Sequence, residues 1–218
     1  MQIINSVRPR LSMLSKHLMV KVLALVLGTA VLSSCYMPVK FDSELEVNRA
    51  GYYNIVFDGY LAETNLYTGL KDGKIDRAEE KKRVAVIERD MTRDTATKNF
   101  KYYKQGHFKL NWESSGDLLK TKMVTFLRAN ELIFQIKYVA KSGYIVFETK
   151  SISKDNRKRL IQAGLNMQGQ IRFKTDMPIK SDNASFKKKD PKDPRFTWLV
   201  WDVKSVMGAR PRAVFIIE

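Results

Sequence analysis

Val39, Phe41, Ser43, Leu45 and Val47 alternate with Lys40, Asp42, Glu44, Glu46 and Asn48. Side chains of a strand point alternately to its two faces, so this period of two predicts a half-buried strand. Asn48-Arg49-Ala50-Gly51 supplies turn residues, and Tyr53, Ile55 and Phe57 mark a second strand that ends near Gly59. The segment reads as an antiparallel hairpin. The period then changes. Val84, Ile87 and Met91 repeat at helical spacing, with Glu79, Glu80, Lys81, Lys82 and Arg83 outside the apolar stripe. Asp76 with Glu79 makes an N-terminal capping signature, so one long amphipathic helix is expected over 76–92.

Alternation resumes at Phe108, Leu110 and Trp112. Ser114-Ser115-Gly116-Asp117 reads as a turn, the run from Leu118 to Arg128 as the next strand, and Ala129-Asn130 as a tight link. Leu132, Phe134, Ile136 and Tyr138 alternate again, and Lys141-Ser142-Gly143 turns the chain into a strand over 144–149. This is the pattern of an up-and-down meander of four strands. Ser153 caps a short helix over 154–163, with Gly164 as its stop. Further strands are expected over 170–175, 197–203 and 213–217, and the polar stretch Ser181 to Pro194 reads as an exposed, mobile loop. The expected fold class is α+β: a curved, mostly antiparallel sheet of about nine strands with one long and one short helix. Packing the long helix on such a sheet predicts an apolar groove between them.

Ahead of this domain stands a different kind of segment. Residues 1–21 carry Arg8, Arg10, Lys16 and Lys21 and no acid, and Val22 to Leu32 is 11 residues without a charge. Small Ser33 and Ser34 lead into Cys35. A basic start, a short apolar run and a small-residue site predict an export signal over 1–34, with one exported domain over 35–218. The n-region is long, which leaves Met13 and Met19 as alternative starts. The rival reading is a retained membrane anchor. The uncharged stretch Val22 to Val39 is 18 residues, at the short edge of a span, and Ser33, Ser34 and Pro38 spoil its second half.

Charge and cysteine narrow the picture further. The formal net charge is +16, and removing the leader leaves 35 basic against 23 acidic residues. Such a surplus favours anionic surfaces as neighbours, although a solvated basic surface has the same composition. Cys35 is the one cysteine, which excludes an intramolecular disulfide and a cysteine zinc site.

Candidate chemistry is sparse. After loss of the leader, His107 is the one histidine, on the polar face of an expected strand and without a nucleophile elbow nearby. Asp72-Gly73-Lys74-Ile75-Asp76-Arg77-Ala78-Glu79 resembles half of a calcium loop, but Thr68 and Leu70 would occupy ligand positions, and leucine cannot ligate. Asp90 and Asp94 lie beside Arg89 and Arg93, as in a mutually neutralised helix end. The stretch Asn99-Phe100-Lys101-Tyr102-Tyr103-Lys104 has the composition of a stacking surface; export argues against nucleic acid and leaves a membrane interface or simple core burial. Lys187, Lys188 and Lys189 are candidates for contact with anionic headgroups, and Trp198 and Trp201 for the groove wall. No cofactor, metal or catalytic residue is expected.

Leu32-Ser33-Ser34-Cys35 resembles a bacterial lipobox. The Cys35-Tyr36-Met37-Pro38-Val39 start, the hairpin through Gly51 and Tyr53, Gln168-Gly169-Gln170-Ile171-Arg172-Phe173, Asn183-Ala184 and Thr197-Trp198 together resemble the LppM-type bacterial lipoprotein family over most of 35–217. The basic segment before Trp198 departs from that pattern. The resemblance implies that Cys35 is alkylated by a diacylglyceryl group and becomes the first residue of a membrane-anchored envelope protein. It also implies an α+β, largely antiparallel domain without established enzymatic residues. Tyr36, not Asp, after the cysteine implies the outer membrane, facing the periplasm, by the enterobacterial sorting rule. Three functions remain in view: a non-enzymatic lipoprotein binding lipid, glycolipid or another anionic envelope component; a structural or assembly partner of an envelope protein complex; and a hydrolase using His107.

Overall fold

The computed structural model describes residues 36–127 and 133–217. The leader, Leu32, Ser33, Ser34 and Cys35, and the expected link at Ala129-Asn130 lie outside the described residues. The chain divides into Met1–Ser33 and a compact unit, Ser34–Glu218, which contains all that follows.

The opening hairpin forms as its alternation demands. Strand β1 (Tyr36–Val47) pairs antiparallel with β2 (Tyr52–Glu63), and Gly51, at φ +84, turns the chain between them. Phe41, Leu45 and Val47 face inward, while Lys40, Asp42 and Glu44 face out. Ser43 also faces inward, and its hydroxyl donates to the Val56 carbonyl at 3.2 Å. The pairing slips between Pro38 and Lys40, where proline has no N–H to give to the ladder.

Helix α1 (Thr64–Lys71) follows directly, then α2 (Arg77–Met91), β3 (Thr97–Lys104), β4 (His107–Asp117), the single turn α3 (Leu118–Thr121) and β5 (Met123–Phe126). The second half holds β6 (Phe134–Val139), β7 (Tyr144–Thr149), α4 (Lys154–Gln162), β8 (Gln168–Thr175), β9 (Ile179–Asp182), β10 (Phe186–Lys189), β11 (Thr197–Val203) and β12 (Arg212–Ile216). One sheet runs β10-β11-β8-β1-β2-β4-β3, the other β5-β6-β7-β12-β9. All pairs are antiparallel except β1 with β8. Aromatic rings join the inner faces. Phe57 meets Phe126 at 4.5 Å, Phe147 meets Phe173 at 5.5 Å and Phe173 meets Phe215 at 4.6 Å between ring centres. Each such pair adds roughly 0.5–1.5 kcal/mol beyond area burial.

The expected single curved sheet of nine strands with two helices is therefore wrong. The described residues form 12 strands in two open sheets, with four helices, and strand predominates. The errors have physical causes. The supposed meander is cut in two: β4 continues through Ser114 to Asp117 against β2, where a turn was expected. Asp117 then caps α3, accepting from the N–H groups of Leu119 and Lys120, and the chain crosses to the other sheet. Strand β3 is an edge strand that buries Phe100 and leaves most of its other side chains exposed, so its period of two is faint. The polar stretch Ser181 to Pro194 is not simply a loop, because β10 within it pairs with β11. Edge strands need only one apolar neighbour, and β10 is exposed at every position. Helix α1 was missed because its cap, Glu63, is a strand residue. The Glu63 carboxylate accepts from the N–H groups of Asn65 at 3.2 Å and Leu66 at 2.6 Å.

The two expected helices do form. Asp76 accepts from the Glu79 N–H at 2.8 Å at the start of α2, and Ser153 from the Asn156 N–H at 3.3 Å at the start of α4. Gly164, at φ +87, ends α4.

Candidate functional site

Among the described residues a cavity lies at one end of the sandwich, under the short helices and not under the long one. Its floor is apolar: Met37 and Phe41 of β1, Phe57 of β2, Phe134 of β6, Leu165 and Ile171. Helices α1 and α4 and the 203–211 segment wall it. Its volume is about 700 Å³, inside the range of roughly 300–1,000 Å³ typical of small-molecule sites. Tyr36, Met37 and Pro38, the three residues after Cys35, all line it.

The wall is held in place by backbone contacts. The Asn166 side chain accepts from the N–H groups of Met167 at 2.9 Å and Val206 at 3.0 Å, fixing the 203–211 segment beside β8. Tyr67 and Lys71 of α1 both donate to the Ala163 carbonyl, at 3.1 and 2.7 Å, and so satisfy the C-terminal end of α4.

Among the described residues the charged members of the lining are Lys150, Arg157, Arg159 and Arg210, with no carboxylate among them. Arg210 is neutralised by Glu148 at 2.9 Å. Arg157 donates through Nη1 to the Met207 carbonyl at 3.4 Å, while its Nε is buried and finds no acceptor among the described residues. A buried charged donor left without a partner costs energy, and an oxygen of a bound ligand would relieve it. The cavity thus offers an apolar floor and a cationic rim.

The residues singled out in the sequence are scattered. Trp201 is buried in the sandwich core, 5.3 Å from Phe147 between ring centres, and its indole N–H donates to Asn183 at 2.9 Å. Trp198 sits on the opposite face of the same strand, where the Lys174 ammonium lies over its ring at 5.7 Å. The two tryptophans do not share a groove, and neither lines the cavity. Lys187, Lys188 and Lys189 stand on edge strand β10, with Lys187 paired to Asp182 at 2.7 Å. His107 packs edge-on against Tyr67 at 5.3 Å, its Nδ1 3.2 Å from the Lys104 carbonyl. The cavity was missed because its lining comes from elements far apart in the chain. The signal that touches it is the apolar run Tyr36-Met37-Pro38 after the expected lipidation site.

The outer face of the larger sheet is a lattice of ion pairs. Arg172 bridges Asp42 at 3.3 Å and Glu44 at 3.4 Å, and Lys174 joins Glu46 at 3.4 Å to Asp190 at 3.1 Å. The Asp190 carboxyl is held below the usual range, first by the Lys192 backbone N–H, against the opposing effect of burial, and then by Lys174. The Lys174 ammonium stands above its usual range: burial pulls it down, but Asp190 and Glu46 together outweigh that.

The fold and site define a two-sheet β-sandwich with a basic-rimmed apolar cavity at one end. No family model matches the chain, and no curated protein does. Among solved structures it is similar to the NMR structure of the folded domain of the Mycobacterium tuberculosis LppM protein, with 8% identity, 84% of this chain and 93% of that chain covered, and a TM-score of 0.41. No helix among the described residues is long and apolar enough to cross a membrane.

Proposed function

We propose that this chain is an exported, non-enzymatic lipoprotein that is tethered through acylated Cys35 and binds a lipid or glycolipid in the cavity at the end of its sandwich. The observation that carries this reading is positional. The three residues that follow Cys35 line an apolar cavity large enough for a small-molecule ligand, so the anchor and the cavity share one end of the fold. Two or three acyl chains on the cysteine hold stably to a bilayer where one would not. Tyr36 directs the protein to the outer membrane, facing the periplasm.

Native mass spectrometry of the mature protein from envelopes is expected to retain a lipid, and Leu165→Trp, which fills the floor, is expected to lose it. Clean apo protein that also takes up no fluorescent acyl probe overturns lipid binding. Radiolabelled palmitate is expected on Cys35; its absence overturns the tether. His107→Ala is expected to leave lipid retention and envelope phenotype unchanged. Docking to a protein through the β10 edge is disfavoured by Lys187, Lys188 and Lys189, since lysines on an edge strand oppose pairing with another strand.

A further inference from the structure

Helix α4 is two-faced. Ser153, Asn156, Arg157, Leu160 and Ala163 recur at three- and four-residue spacing and line the cavity. The other side carries Lys154, Lys158 and Ile161 at i, i+4 and i+7, all turned to solvent, with Ile161 40% exposed. Met207, 42% exposed, is tied to this helix by the bond from Arg157 to its carbonyl. Lys204 and Arg210 flank Met207 and are exposed. The helix itself bears four basic residues against the single acid Asp155. Two bare apolar side chains set among cations form the surface an interfacial helix presents to anionic headgroups.

We propose that α4 and the 204–210 segment form a docking surface for an anionic lipid bilayer, seating the cavity mouth on the leaflet that holds the Cys35 anchor. This rests on the reading of the cavity as a lipid site. Three observations converge on it. Charge is complementary, since Lys154 and Lys158 of α4 and Lys204 ahead of Met207 are exposed cations, and the cavity lining beside them holds no carboxylate among the described residues. The two exposed apolar side chains stand among these cations, as insertion at the headgroup boundary requires. Tyr36, one peptide bond from the anchoring cysteine, lines the same cavity, so the tether holds this end of the sandwich near the membrane. A lipid then passes between leaflet and cavity past Lys150 and Arg159 without crossing bulk water. The other basic cluster is separate. Lys187 to Lys189 pair with Leu199 to Thr197, four to six residues back along β11 from the cavity-lining Val203, or roughly 13–20 Å at the rise of a strand.

The test uses the compact unit Ser34–Glu218 with Cys35→Ser, so that no acyl chain contributes, and measures cosedimentation with vesicles of phosphatidylcholine alone or mixed with phosphatidylglycerol. Binding to the anionic vesicles is expected. Each surface lysine near an anionic leaflet contributes roughly fivefold, so the Lys154→Gln, Lys158→Gln double variant is expected to bind about twenty-fivefold more weakly. Ile161→Ser with Met207→Ser is expected to weaken binding at all salt concentrations, whereas raising salt from about 0.1 to about 1 M weakens the charge contribution. Substituting Gln at Lys187, Lys188 and Lys189 is expected to have little effect. Equal binding to both vesicle types, or loss through the β10 lysines and not through α4, overturns the docking surface. Lipid retained in native mass spectrometry alongside such a result leaves the cavity reading standing. A circular dichroism spectrum matching that of the parent unit checks that each variant is folded.

Discussion

Two residues beside the cavity show how local sterics and charge set it up. Gly169 faces inward from β8, and a β-carbon there would lie 2.2 Å from the Phe41 carbonyl oxygen and 2.7 Å from its ring. Glycine therefore lets Phe41 lie down against β8 and form the floor. Gly169→Ala forces β1 away from β8 and is expected to destabilise the domain by about 1–3 kcal/mol, as overpacking does, read as a lower urea midpoint. Arg157 is the second. Its buried Nε has no acceptor among the described residues and can donate to a ligand oxygen. A hydrogen bond to a charged group contributes roughly 1.5–3 kcal/mol. Arg157→Gln is therefore expected to lower affinity for an anionic lipid by about tenfold or more in a fluorescence titration, and to leave neutral lipid nearly unaffected. Neither role is written in the residue itself. Gly169 reads as one more strand residue and Arg157 as one more cation on a polar helix.

At the scale of elements, strands with one wet and one dry face were readable and edge elements were not. β1, β2, β6 and β7 announce themselves because burial on one face demands an apolar side chain at every second position. β3, β9 and β10 carry no such demand, and α1 begins on a buried glutamate that looks like the end of a strand. What holds β10 and its flanking turn is partly electrostatic. Asp190, 6% exposed, accepts from the Lys192 N–H at 2.9 Å and pairs with Lys174 of β8. Its folded-state pKa is depressed, so its contribution is present above the ordinary aspartate value of about 3.9 and is lost as pH falls through the lower folded value. Asp190→Asn is expected to be less stable than the parent at neutral pH and to lose less stability between about pH 4 and pH 2. Thermal melts across that window check this, and parallel acid limbs would contradict it.

For the whole molecule, the aromatic chain from Phe57 through Phe126, Phe134, Phe147 and Phe173 to Phe215 ties the two sheets into one core. Phe147 touches Phe134, Phe173 and Trp201, so it sits at the junction. Phe147→Ala is expected to cost about 3–5 kcal/mol in chemical denaturation. Hydrophobic periodicity and capping residues pointed to the opening hairpin, to the helices expected over 76–92 and 154–163 and found at 77–91 and 154–162, and to most core strands, because those features depend on neighbours a few residues away. The expectation of a lipidated Cys35 came instead from the basic start, the short uncharged run and the lipobox resemblance, since such signals are read by enzymes as linear sequence. The division into two sheets, the separation of Trp198 from Trp201 and the cavity itself came only with the tertiary structure. A cavity is space left between surfaces, and its lining spans Tyr36 to Pro211. No local pattern encodes such a gap, because it exists only once distant strands and helices have packed.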